Sequence, residues 1–248
     1  MATMELGIQS YCFRGFKALD ALLAQIRGVG LNRTELCAVH VDFNDEGAFE
    51  GVVEGCKKAG VIISSIGVQK FRGDWANEEK WFRFCRLCGA KLVSASFDVA
   101  STPEVYRGVE KMAEKYDVRL GIHNHGGYDW LGNSTMVGQL FNTTGERIGL
   151  CLDTAWCIQA GEDPHKWVER FGSRIYGVHV KDFVFDRAGK WSDVVVGAGN
   201  LKLAELLRAV GQCPAILALT LEYEGDVENP GPKLRECVAA IKAAGGNQ

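Results

Sequence analysis

Four short apolar runs in this chain end in side chains that bind metals or move protons. They close at Gly121-Ile122-His123-Asn124-His125, at Gly149-Leu150-Cys151-Leu152-Asp153, at Val178-His179-Val180-Lys181-Asp182 and at Leu221-Glu222-Tyr223-Glu224. Side chains alternate faces along a strand, so His123 shares a face with His125, His179 with Lys181, and Glu222 with Glu224. If the runs are parallel strands of one closed sheet, their polar ends meet on one rim. Imidazole and carboxylate together there make a divalent-metal site and supply general acid/base groups.

The wider set of strand-end residues is Glu35, Asp98, His123, His125, Asp153, His179, Lys181, Glu222 and Glu224, and four of the five histidines (His40, His123, His125, His179) fall at or just after such ends. Each group also has a structural reading. Asp153 can cap the next helix, His179 can be a hydrogen-bonded core histidine, and Lys181 can snorkel to the rim. Two carboxylates as deep as Glu222 and Glu224 repel unless a cation or base lies between them. Glu222 lies deeper than Glu224, and His123 deeper than His125, so Glu222 and His123 are the favoured ligands. Glu35, in Thr34-Glu35-Leu36-Cys37, can contact substrate or metal, or pair with Lys181.

These side chains need a scaffold that repeats. Strand-like runs occur at Leu6–Tyr11, Arg33–Cys37, Val61–Gly67, Lys91–Phe97, Arg119–His123, Ile148–Asp153, Ile175–Lys181 and Ile216–Glu222. Amphipathic stretches fall between them, including Ala18–Val29, Gly47–Ala59, Glu78–Cys88, Pro103–Tyr116, Leu201–Val210 and Pro232–Ala244. Glycines after helical stretches, as in Ala59-Gly60-Val61 and Cys88-Gly89-Ala90, suit left-handed caps. Strands alternating with helices imply a parallel sheet with right-handed crossovers. Eight such units close into a (β/α)8 TIM barrel, an α/β fold, as one domain over residues 1–248. An open doubly wound sheet ranks lower, because no Gly-x-Gly-x-x-Gly follows an early strand. Phe183–Asn200 exceeds a usual βα loop and reads as an excursion over the rim.

Composition excludes several classes. A net charge of −3 with no basic patch argues against nucleic acid as a partner. The apolar runs are far short of a bilayer span, so no membrane is expected. Nine scattered cysteines and no basic-plus-apolar leader give the expectation of reduced thiols and a cytoplasmic protein. Cys85 and Cys88 fall in a helical pattern with no second pair at zinc spacing.

Five motifs, in order, carry a resemblance: Leu152-Asp153-Thr154, Ala160-Gly161-Glu162-Asp163-Pro164, His179-Val180-Lys181-Asp182, Val196-Gly197-Ala198-Gly199-Asn200-Leu201 and Leu221-Glu222-Tyr223-Glu224. The chain resembles the xylose isomerase-like barrel superfamily, in its sugar phosphate isomerase/epimerase branch. Such proteins bind Mn²⁺, Mg²⁺, Co²⁺ or Zn²⁺ through residues after strands five to eight: glutamate, aspartate, histidine and glutamate. Carried over by motif, the aspartate is Asp153, the histidine His179 and the last glutamate Glu222. His123 stands where the first glutamate is usual, which keeps a ligand and removes a negative charge. Trp156 replaces a frequent histidine and offers an apolar face to a sugar ring.

The expected chemistry is proton abstraction next to a carbonyl on a small carbohydrate, through an enediolate, as in an isomerase or epimerase. Glu222 is the base, His125 or Glu35 acts from the opposite face, and Lys181 stabilises the oxyanion. Glu224 supports Glu222 and binds substrate, together with Trp156, Tyr11, Phe71 and Trp130, which wall it. A keto-sugar dehydratase or lyase, a Schiff-base aldolase using Lys181 and a non-catalytic carbohydrate-binding barrel are the alternatives. Relatives of this kind are often dimers or tetramers, so the resemblance is compatible with a homo-oligomer.

Overall fold

A computed structural model describes residues 5–126 and 128–245. Eight parallel strands close into a barrel: β1 (Leu6–Gln9), β2 (Arg33–Leu36), β3 (Ile62–Phe71), β4 (Leu92–Phe97), β5 (Arg119–His123), β6 (Ile148–Asp153), β7 (Ile175–Val180) and β10 (Ala218–Leu221). They neighbour one another in chain order, and β10 returns to pair with β1. An outer layer holds α1 (Leu19–Gly28), α2 (Phe49–Lys58), α3 (Trp75–Cys88), α4 (Glu104–Tyr116), α5 (Ser134–Thr143), α6 (Thr154–Gln159), α7 (Pro164–Phe171), α8 (Leu203–Val210) and α9 (Gly231–Gly245). The fold is the (β/α)8 barrel that the alternation of elements implies.

The helices form where the apolar spacing demands a partner. Helix α4 buries Val105, Tyr106, Val109, Met112, Ala113 and Tyr116, a three-to-four spacing that presses one stripe on the sheet. Asp163 caps α7 by accepting from the His165 N–H, and Pro164 follows at the first turn. Phe71, Phe82 and Phe97 meet between strands and helices, each buried ring contributing about 1.5–3 kcal/mol.

Of the strand ends that differ from expectation, two bear on the site. Strand β1 stops at Gln9, because a 3-10 turn at Ser10–Phe13 carries Tyr11 onto the rim. Strand β3 runs on to Phe71, with a register irregularity against β4 between Ile66 and Gln69. The long excursion contains a two-stranded antiparallel hairpin, β8 (Phe183–Phe185) and β9 (Trp191–Asp193). The Asp182 carboxylate fixes its return, accepting backbone N–H groups from Gly197, Gly199, Asn200 and Leu201.

The bore is not the usual stack of branched aliphatic residues. Its middle is polar: Gln9, Glu35, Ser65, Ser94 and His179 are all buried there. Lower down, Tyr176 fills space that Gly149 leaves open. A Cβ at Gly149 would fall inside contact distance of the Arg174 carbonyl and the Tyr176 ring. Gly149→Ala should therefore cost about 1–3 kcal/mol by overpacking, read as a lower urea midpoint. An unchanged midpoint would show that the bore relaxes freely at this point.

Candidate active site

The strand register brings the polar ends together. His123 on β5 lies opposite Cys151, and Asp153, which ends β6, lies opposite His179 on β7. Thr220 on β10 is also opposite His179, so Glu222 follows just above it. One ligand atom from each of His123, Asp153, His179 and Glu222 falls within 4.8 Å of the other three, and all four residues are buried. His123 Nε2 is 2.9 Å from His179 Nδ1, which is 2.5 Å from Glu222 Oε2. The Asp153 Oδ2 atom lies 3.5 Å from His123 Nε2.

Asp153 serves both of its readings at once. Its Oδ1 accepts the Trp156 N–H and caps α6, while its buried Oδ2 has no hydrogen-bond partner. Asn124 holds the strand end by two hydrogen bonds with the Asp153 backbone. An orphaned carboxylate oxygen beside two facing imidazole nitrogens fits a divalent cation, which needs just such electron pairs. The neighbouring carboxylates favour protonated His123 and His179, and an ion that displaced those protons would leave two carboxylates and two neutral imidazoles to balance its double positive charge. His123, Asp153, His179 and Glu222 are therefore the residues that would hold a metal.

Charge next to the cluster is paired. The Lys181 ammonium, 1% exposed, lies 3.3 Å from Glu222 Oε1 and against Glu224 Oε1. Burial alone would lower the Lys181 pKa, but Glu222, Asp153 and Glu224 outweigh it and raise it. Those carboxylates favour the charged ammonium, which disposes Lys181 to donate hydrogen bonds and not to act as a Schiff-base nucleophile. Burial would raise the Glu222 pKa, yet Lys181 and His179 hold it well below the usual carboxylate range. His125 sits beside the cluster, its ring 4.5 Å from that of His123. Burial, reinforced by the His123 charge, lowers its pKa to about 4, so it is a neutral imidazole at pH 7.

Above these groups stands an aromatic wall. The Trp156 ring is 5.0 Å from Phe183 and 5.1 Å from Trp191, and the Lys181 Nζ lies 5.5 Å from Trp156 and from Phe183. Asp193 on the hairpin accepts the Glu224 N–H, tying the wall to the β10 end of the rim. Tyr11, 37% exposed, lies under the Arg14 guanidinium, which bonds the Glu224 carbonyl. Trp130 donates its indole N–H to the Phe97 carbonyl at the end of β4.

Two expected placements are corrected. Phe71 is fully buried and packs on Trp81, Phe82 and Phe97, so it faces the helices and walls no substrate. The reason is the extension of β3, which puts Phe71 in register with the outward-facing Phe97. Glu35 is not an opposite-face catalytic group. It lies behind His179, its Oε1 3.1 Å from Nε2, and it neither pairs with Lys181 nor reaches the mouth. His40 stands apart from the cluster, hydrogen-bonded to Ser10 Oγ and the Phe16 carbonyl.

Several contributors escaped sequence reading. Ser65 and Ser94, inside apolar runs, carried the alternation that marks an inward face, and Gln9 ended one. Trp191 and Phe183 carried no such sign, because only the antiparallel hairpin turns them toward Trp156.

Residues 23–244 match the family described as xylose isomerase-like TIM barrel. A 93-residue segment is 30% identical to 3-oxo-isoapionate decarboxylase of Pectobacterium atrosepticum; it covers 36% of this chain and 33% of that relative, so the chain spans about a third of its length. Among solved structures, an L-ribulose 3-epimerase superposes with a TM-score of 0.74 at 17% identity, covering 98% of this chain and 95% of the other. An IolI protein with a bound zinc atom does so with a TM-score of 0.74 at 15% identity, covering 98% of each chain. At these identities the two structures speak for the fold alone.

Proposed function

This chain belongs to the xylose isomerase-like TIM barrel family, and from that premise we propose that it is a metal-dependent enzyme that moves the proton next to the carbonyl of a keto-sugar, as an isomerase or epimerase. The observation that carries the reading is the convergence of His123, Asp153, His179 and Glu222 at the strand ends, with the Lys181 ammonium beside Glu222. A bound divalent cation would supply Lewis acidity to the carbonyl and a neighbouring hydroxyl, which acidifies the intervening C–H. The imidazole-rich donor set suits Zn²⁺, Mn²⁺ or Co²⁺ better than Mg²⁺.

The chain's own groups divide the rest of the work. Glu222, kept ionised by Lys181 and His179, accepts the proton from carbon. Lys181 stays charged and donates to the oxygen on which negative charge develops. His125, a neutral imidazole, exchanges a proton on the other side. Trp156 gives the sugar an apolar surface and, with Phe183 and Trp191, keeps water from the reacting carbon.

A second reading, decarboxylation of a keto acid through the same enediolate, has one observation in its favour. Glu35 lies behind His179 and not at the mouth, which among the described residues leaves no second carboxylate there for a two-base exchange, whereas loss of carbon dioxide sends the C–C electron pair to the carbonyl oxygen beside Lys181 and then needs one proton donor to carbon. The relative named 3-oxo-isoapionate decarboxylase agrees with it.

Incubation of Mn²⁺- or Zn²⁺-loaded protein with a panel of ketoses and keto-sugar acids in D₂O, followed by proton NMR, tests both readings. Deuterium at the carbon next to the carbonyl, with the carbon skeleton retained, is the expected result. Loss of carbon dioxide from the acids would favour the second reading. Neither outcome across the panel, with metal bound, would reject both.

A further inference from the structure

Resting on the reading of the four-residue cluster as a metal centre, we infer that Glu35 is a positioning residue that acts on the ion through His179, fixing which imidazole nitrogen is free to bind it. Glu35 lies in the polar middle of the bore with 1% of its surface exposed. Its Oε1 accepts the Gln9 amide at 2.7 Å, and its Oε2 accepts the Ser65 and Ser94 hydroxyls at 2.8 and 2.7 Å. Gly67 makes room for it, because a Cβ there would stand 2.9 Å from Oε1 and 2.5 Å from the Ser94 Cβ.

All three hydrogen-bond donors are neutral, so none cancels the charge of a buried carboxylate, whose isolation in the interior is costly. The group that can answer that charge is the His179 ring, whose Nε2 is 3.1 Å from Oε1. Nε2 is buried and has no aligned hydrogen-bond partner, so Glu35 Oε1 at 3.1 Å is the charge that would draw a proton to it and leave the Nδ1 electron pair on the opposite side. Nδ1 is the nitrogen that meets His123 Nε2 and Glu222 Oε2. A carboxylate behind an imidazole sets its tautomer, holds its plane and raises its basicity toward an ion.

The rival arrangement is a second ion, held by Glu35, Cys151 and His179, whose ligand atoms also lie within 4.8 Å of one another. Both Glu35 oxygens already accept hydrogen bonds from Gln9, Ser65 and Ser94. A second ion would have to displace those bonds in a fully buried space. One ion per chain is therefore expected, with Glu35 outside its coordination shell.

The test is calorimetric titration of chelator-treated full-length protein with Co²⁺, on wild type, Glu35→Gln and Ser65→Ala. Wild type should bind one ion. Glu35→Gln, which keeps the shape and loses the charge, should bind about 10–100-fold more weakly and alter the visible Co²⁺ spectrum. Ser65→Ala, which removes one neutral donor, should lose much less. Wild-type protein labelled in its histidine nitrogens and loaded with Zn²⁺ gives a readout that needs no mutant. NMR should find the His179 proton on Nε2.

An Nδ1–H tautomer, a Glu35→Gln affinity within twofold of wild type, or two ions per chain would each overturn the assignment and leave the metal centre standing. No Co²⁺ bound by wild type would instead remove the metal reading, and this assignment with it.

Discussion

Glu222→Gln should lower turnover by about 10²–10⁴-fold, the range for loss of a general base, while the protein still takes up its metal. Glutamine keeps an oxygen in the place of Oε2, beside His179 Nδ1, but it cannot hold a proton taken from carbon. Exchange of substrate hydrogen with D₂O should stop together with turnover, because both need the same proton transfer. Metal content by elemental analysis separates the two roles of this residue. Wild-type exchange in the variant would end the assignment of Glu222 as base. Loss of both metal and exchange would make Glu222 chiefly a ligand.

The largest effect on stability is expected from Lys181→Met. Methionine fills much of the lysine stem's volume but removes the charge that answers Glu222 and Glu224. Breaking a buried ion pair by deleting one partner typically costs about 3–5 kcal/mol, because the survivor keeps its desolvation penalty. The loss of a cation facing Trp156 and Phe183 acts in the same direction. Urea unfolding at pH 7 measures it. Added Zn²⁺ should restore part of the loss, since a cation bound to Glu222 replaces some of the missing charge. A variant as stable as wild type would mean that the two glutamates do not depend on Lys181.

Much of the barrel was legible because its signals are local. Apolar runs of strand length, helical spacing such as Val105, Val109, Met112 and Tyr116, and glycine at helix ends each report on a few neighbouring residues. The site was legible where polar side chains interrupt such runs. His123, Asp153, His179 and Glu222 stood out in this way, and the barrel brings all four within reach of one another. The choice of His123 over His125 and of Glu222 over Glu224 followed from depth along the strand. In the structure His123 and Glu222 belong to the four-residue cluster, and His125 and Glu224 lie beside it.

The two misplaced residues show where local signals end. Phe71 turned outward because β3 runs past Gly67 with shifted register, and register is a property of two strands together. Glu35 stood at a strand end like the others, yet its neighbours across the bore are Ser65, Ser94 and His179. The alternation of strand and helix, and the chemistry stored at strand ends, were determined by the sequence alone, since both arise from contacts between residues close along the chain. Which nitrogen of His179 faces the cluster, which carboxylate stands behind it and which indoles cover it were decided only by tertiary structure. Those relations join residues tens to hundreds of positions apart, and only closure of the sheet determines their distance.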